Sequence, residues 1–325
     1  MNFLKVYQQA FESALEDFNQ EKSPQNLYKP IEYLLDLGGK RIRPFMTLMA
    51  AEAYGVSFKK AIGAAMAVEV FHNFTLMHDD IMDKATLRRG KTTVYKKWDV
   101  NTAILSGDAM LIKAYQCLEK YPIDIFQKLT CLLSKTAIEV CEGQQYDIDF
   151  ETRPDTSEEE YIEMIRLKTA VLVGCALKMG AIIGKASEED QKAIYDFGIQ
   201  LGLAFQLQDD YLDTFGDPET FGKKIGGDIL KDKKTILYHL AIKTGEEDER
   251  HLLQFLLGGN ETIDDDEKIN KVKSLFESTS AQSATRDFIE HHSDLADIEL
   301  EKLTINEDQK NHFRDLKSWL INRTY

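Results

Sequence analysis

The stretch LMHDDIMDKATLRRGKTT, Leu76 to Thr93, sets three aspartates within five residues directly behind an apolar run, with two arginines close after. Upstream, Ile62, Met66, Val70 and Phe74 recur at four-residue steps, the spacing of one helix face. On a helical wheel of about 100° per residue, Asp83 lies about 40° from Asp79 and His72 about 20° from it. His72, Asp79 and Asp83 therefore share a stripe, with Asp80 beside it. Phe71, Phe74, Leu76 and Met77 mark this helix as buried, and adjacent carboxylates raise one another's pKa. Buried carboxylates need partners. Oxygen donors at this spacing suit Mg²⁺, which takes a few carboxylates, waters and substrate phosphates. A solvated acidic helix end is the bland alternative for a single cluster of this kind.

The pattern returns 209 − 79 = 130 positions later in FQLQDDYLD, Phe205 to Asp213. Asp209, Asp210 and Asp213 again end an apolar helix, and Gln206 shares their broad face. Two such helices are expected to face each other across a cavity that attracts divalent ions. The counter-charges come in compact groups. LGGKRIRP supplies Lys40, Arg41 and Arg43, RRG supplies Arg88 and Arg89, and GKKIGGDILKDKKT supplies Lys223, Lys224 and Lys233. Lys168 sits in the apolar stripe between Ile165 and Leu172, where a solvated lysine does not belong. Arginine forks match phosphate oxygens in pairs, whereas lysine acts as a point charge.

The 325 residues are 43% hydrophobic, enough for a large core. No linker-like composition breaks the chain, so residues 1–325 read as a single all-α domain, a helical bundle around a central cavity. Ser157 with Glu160 reads as a capping box, and Gly184 followed by Ser187 as a stop and a new start. Loops are expected near 19–27, 55–58, 84–93, 150–157, 214–227 and 258–265. The net charge of −15 argues against nucleic acid as a partner. The four cysteines, Cys117, Cys131, Cys141 and Cys175, show no CxxC pairing and read as core thiols. The N-terminus reads as an amphipathic helix with Tyr7, Phe11, Leu15 and Phe18 near one face, and no run spans a membrane. A cytoplasmic location is expected.

Taken together, GGKRIRP, HDDIMD with RRG, GQQYD (Gly143 to Asp147), Lys168-Thr169, FQLQDDYLD and GKKIGGD resemble the trans-polyprenyl diphosphate synthases, the polyprenyl synthetase family. The resemblance runs from about Leu27 to Leu240. It implies an isoprenoid synthase fold, a homodimer, and the head-to-tail joining of isopentenyl diphosphate to an allylic diphosphate with up to three Mg²⁺ ions per site. Carried over by position, Asp79, Asp83 and Asp209 would ligate Mg²⁺, with Asp80, Asp210 and Asp213 in support. Arg88, Lys168, Lys233 and one of Lys223 or Lys224 would hold the allylic diphosphate. Lys40, Arg43, His72 and Arg89 would hold isopentenyl diphosphate, and Thr169 and Gln206 would lie near the reacting carbons. Arg323 is a candidate for closing the site.

Bulk shortly before the first aspartate motif limits product length in this family. Phe74 and Thr75 there imply a short chain, twenty carbons rather than fifteen. The wheel disagrees in part, setting Thr75 about 40° from Asp79 and Phe74 about 140° away. A terpene cyclase or a non-catalytic partner subunit would share the fold, but both aspartate motifs and the isopentenyl-binding set argue against them.

Overall fold

The computed structural model describes residues 4–18, 22–217, 225–259 and 263–321. Sixteen α-helical segments account for most of them, two being single turns, and the only strands among the described residues form one two-residue hairpin. Among those residues no helix is long and apolar enough to cross a membrane. The helices group into two compact units. One comprises residues 1–135 and 175–192, the other 136–174 and 193–325.

The first unit holds α1 (Leu4–Phe18), α2 (Gln25–Asp36), α3 (Ile42–Ala53), α4 (Ile62–Met82), the hairpin β1 (Leu87–Arg88) and β2 (Lys91–Thr92), α5 (Val94–Lys97) and α6 (Val100–Gln116). On α1, Tyr7, Phe11 and Leu15 are buried, as their spacing predicts, and Phe18 is half-buried. The Tyr7 hydroxyl donates to Glu52 at 2.5 Å and ties α1 to α3. Helix α4 is buried nearly throughout, from Ala64 to Met77. It lies close to α6 because Gly107 leaves room for His78: a Cβ there would come within 2.2 Å of the imidazole.

Three long helices carry the unit boundaries: α7 (Ile123–Thr152), α9 (Val171–Ile183) and α10 (Glu188–Phe215). In the second unit, α8 (Glu158–Ile165) opens on the expected capping box. Ser157 Oγ accepts the Glu160 N–H at 3.2 Å, and the Ser157 N–H donates to Glu160 Oε2 at 2.9 Å. A π-type turn, Arg166–Ala170, then separates α8 from α9. In the first unit, Ser187 starts α10 by accepting the Asp190 N–H at 3.0 Å.

The chain continues through the single turn α11 (Gly227–Leu230), α12 (Ile236–Thr244), α13 (Glu247–Leu256), α14 (Asp265–Ser278), α15 (Ala281–Glu301) and α16 (Glu307–Ile321). Phe197 and Phe313, both fully buried, meet edge to face at 5.8 Å and fasten α16 to α10. The acidic run before Lys268 starts α14, where Asp264 Oδ1 accepts the N–H groups of Asp266 and Glu267. One expectation is corrected. Cys131 and Cys141 are exposed and Cys117 is half-buried, so of the four only Cys175 is a buried core thiol.

Candidate active site

The expected site residues divide between the two units. In the first, α4 presents His72, Phe74, Thr75, Asp79 and Asp80, and Asp83 caps its C-terminus, donating its N–H to the Asp79 carbonyl at 2.8 Å. Asp80 is buried, its side chain 2% exposed. Arg88, from the hairpin, forks onto one of its oxygens through Nε at 2.9 Å and a terminal nitrogen at 2.6 Å. Burial pushes the Asp80 carboxyl up, and Arg88 pulls against that shift. The second Asp80 oxygen, Oδ2, is buried with no hydrogen-bond partner.

A cluster of cations surrounds His72. Arg43 reaches its Nε2 at 3.4 Å. Burial first, then the charges of Arg43, Arg89, Arg88 and Arg41, hold this imidazole well below its ordinary range, so it is neutral near pH 7. Burial, then Arg41 and Arg88, also lower Arg89, while Glu69 opposes the shift. Gly38 and Gly39 take φ values of 77° and 133°. Gly39 also gives the Arg89 guanidinium its space, since a Cβ there would stand 2.7 Å from Arg89 Nη2.

Thr75 donates to the His72 carbonyl at 2.8 Å, whereas Phe74 packs against Phe71 at 5.6 Å and the His78 ring at 4.8 Å. All three contacts lie within α4, at the three- and four-residue spacings of one helix face.

In the second unit, α10 carries Gln206, Asp209, Asp210 and Asp213. Asp210 is 4% exposed. The Tyr161 hydroxyl donates to its Oδ2, Gln206 Nε2 donates to its Oδ1 at 3.1 Å, and Thr169 donates to Gln206 Oε1 at 3.1 Å. Burial, then Asp228 and Asp209, push Asp210 well above the carboxylate range, against the bonds from Tyr161 and Gln206. Asp213 fastens the next turn: its Oδ2 accepts the Asp228 N–H at 2.8 Å and its carbonyl the Gly226 N–H at 2.6 Å. The π-type turn contains Lys168 and Thr169, and such turns are frequent at functional positions.

Asp147, from the GQQYD motif, joins this set, although the sequence reading gave it no role. Its Oδ2 receives Lys168 Nζ at 2.5 Å and has Lys233 Nζ at 3.7 Å. Burial alone would raise the Asp147 carboxyl, but Lys233 and Lys168 outweigh it and hold the group below the usual range. A cavity of about 110 Å³ is lined by Asp147, Tyr161, Lys168, Thr169, Gln206 and Lys233, among others. Lys234, which also lines this cavity, donates to the carbonyls of Phe150 and Arg153 at the end of α7. Lys223, Lys224 and Arg323 lie outside the described residues.

The donors suit a hard cation. Both clusters offer oxygen alone, and Asp80 Oδ2 is an orphaned buried acceptor. No group of three or more His, Cys, Asp or Glu converges as a metal cage among the described residues. Mg²⁺ needs only a few such carboxylate oxygens, since water and substrate phosphate complete its shell.

Residues 24–277 match the family model "Polyprenyl synthetase". A geranylgeranyl diphosphate synthase of Methanosarcina mazei is 43% identical over 236 residues, 72% of this chain and 73% of its own. A solved geranylgeranyl pyrophosphate synthase is 53% identical with a TM-score of 0.96, covering 100% of both chains. A polyprenyl synthase from Caulobacter crescentus CB15, complexed with calcium and isoprenyl diphosphate, is 28% identical with a TM-score of 0.88, covering 100% of this chain and 97% of that one. With its motifs in order and its helices superposing end to end on solved relatives, the chain belongs to the polyprenyl synthetase family.

Proposed function

We propose that this prenyltransferase condenses isopentenyl diphosphate with an allylic diphosphate (dimethylallyl, geranyl or farnesyl) to give all-trans geranylgeranyl diphosphate. The observation that carries the reading is the presence of two cation groups, Arg43 and Arg89 beside His72 and Lys168 with Lys233 around Asp147. A reaction that consumes two diphosphates needs two such sets. End-to-end identity of 53% with a solved geranylgeranyl pyrophosphate synthase supports the twenty-carbon product.

Asp79, Asp83 and Asp209 would hold Mg²⁺, with Asp80, Asp210 and Asp213 supporting them. Mg²⁺ held there would offset the charge that develops on the departing pyrophosphate. Lys168, Lys233 and Arg88 hold the same diphosphate and meet the charge that grows on it as the carbon–oxygen bond breaks. Asp80 steers Arg88, and Asp147 steers the two lysines. Lys40, Arg43 and Arg89 hold isopentenyl diphosphate, beside a neutral His72. Its double bond attacks the allylic cation, a proton leaves to the released pyrophosphate, and Thr169 and Gln206 border the reacting carbons. The apolar helix faces keep water from trapping the cation.

The same reading places the protein in the cytoplasm as a homodimer of one-domain chains. Val100, Ile104, Leu105 and Ile112 leave an apolar stripe on the outside of α6, which supports a covered face. The test is product analysis: purified protein with Mg²⁺, labelled isopentenyl diphosphate and farnesyl diphosphate, followed by dephosphorylation and chromatography. A twenty-carbon alcohol is expected. A fifteen-carbon end product from dimethylallyl diphosphate, with farnesyl diphosphate left unextended, overturns the chain length. Cyclised hydrocarbon formed without isopentenyl diphosphate overturns the reaction.

A further inference from the structure

The residue ahead of α3 has an unusual backbone. Arg41, a non-glycine, occupies the left-handed region at φ 49° and ψ 35°, directly after Gly38, Gly39 and Lys40. Such a conformation persists only where its surroundings hold it in place. Three contacts do so here. Arg41 Nη1 meets Glu69 Oε1 at 2.5 Å, its Nη2 donates to the Leu35 carbonyl, and its own carbonyl accepts the Phe45 N–H at 3.2 Å. The Glu69 side chain is 3% exposed and that of Arg41 9%. Glu69 in turn receives Asn73 Nδ2 at 3.0 Å, and the same nitrogen donates to the Glu69 carbonyl at 2.8 Å. Asn73 is fully buried, so the pair is locked from the α4 side.

We infer that Glu69 is a positioning residue for the isopentenyl half of the reaction: its buried carboxylate fastens Arg41 and so fixes the left-handed turn that presents Lys40 and Arg43. The inference rests on the assignment of Lys40, Arg43, His72 and Arg89 to isopentenyl diphosphate. Arg41 is spent on Glu69 and Leu35, which makes it the anchor of the GGKR turn. Glu69 is also the acid whose charge reaches Arg89 within the arginine cluster. One buried carboxylate thus sets the backbone of the turn and offsets repulsion among the guanidinium groups around His72.

Two roles for Glu69 predict opposite signs. Were it only a charge that weakens the pull on diphosphate, removing it would tighten substrate binding. As a positioning group, its removal loosens the turn and weakens binding. The test is steady-state kinetics on the full chain carrying Glu69→Gln, with Arg43→Ala as control. A second variant, Glu69→Leu with Arg41→Met, removes both charges while keeping the volume, because deleting one member of a buried pair can cost the fold. In both Glu69 variants KM for isopentenyl diphosphate is expected to rise about tenfold or more, the worth of a charged hydrogen bond. KM for the allylic substrate should stay within about twofold, a split that general loss of structure would not produce. If Arg43→Ala raises KM for isopentenyl diphosphate but the Glu69 variants leave it unchanged or lower it, the inference is overturned and the substrate assignment stands. If Arg43→Ala also leaves it unchanged, the assignment itself is overturned and the inference with it.

Discussion

Single residues decide product length and the grip on the leaving group. Phe74 is 9% exposed and borders Phe71 and His78. If it forms the floor of the tail pocket, Phe74→Ala should give products longer than twenty carbons, read by chromatography of the dephosphorylated alcohols. Unchanged chain length would move the floor elsewhere. Asp147 pairs with Lys168 and also faces Lys233. Asp147→Asn should lower kcat/KM for the allylic substrate by roughly ten- to a hundredfold, the range for hydrogen bonds to charged groups. A value at the wild-type level would show that the lysines are placed without it. The aspartates and Lys168 stood out because charge in an apolar helix demands a partner, and the arginines because they fall in compact groups. Asp147 was within a quoted motif but looked like any polar residue on a long helix. Glu69 did leave a signal, a carboxylate inside the apolar run AAMAVEVF, but its partner Arg41 arrives from a turn that no periodicity describes.

At the scale of elements, helix starts followed their caps closely, as at Ser157 and Ser187. The π-type turn at Arg166–Ala170 was not legible, because one extra residue per turn hardly changes an apolar pattern. Helix α12 yields a stability prediction. Its His239 is 6% exposed, lies against the rings of Tyr161 and Tyr238, and keeps Nε2 without a partner. Burial lowers its pKa to about 4. The unfolded chain takes up that proton near pH 6.5, about the ordinary histidine value, and the folded chain only near 4. Stability is therefore lost as pH falls through that window, by an amount on the order of 3 kcal/mol. His292 is lowered to about 4 as well, so the quantity to read is a difference. Urea midpoints of the wild type and His239→Phe should diverge between pH 6.5 and 4, the variant losing less. Parallel curves would contradict the assignment.

For the whole molecule, composition and motif order made the all-α class legible, whereas the surface was less so. Cys131 and Cys141 lie outside because the stripes of α7 that carry them face solvent. The stripe on α6 leads to a test of assembly. Light scattering should give twice the 37.2 kDa chain mass, and Ile112→Asp should shift the protein toward the single-chain mass. A wild-type monomer would contradict the homodimer. The central claim is that the aspartate clusters of α4 and α10 are each required for metal-dependent turnover. Its most direct test is the Mg²⁺ activation curve of turnover for the wild type, Asp79→Asn and Asp209→Asn. Activity should vanish on chelation in all three, and each variant should fall by about a hundredfold or more at saturating metal. Turnover that survives chelation, or either variant retaining the wild-type curve, would contradict the account.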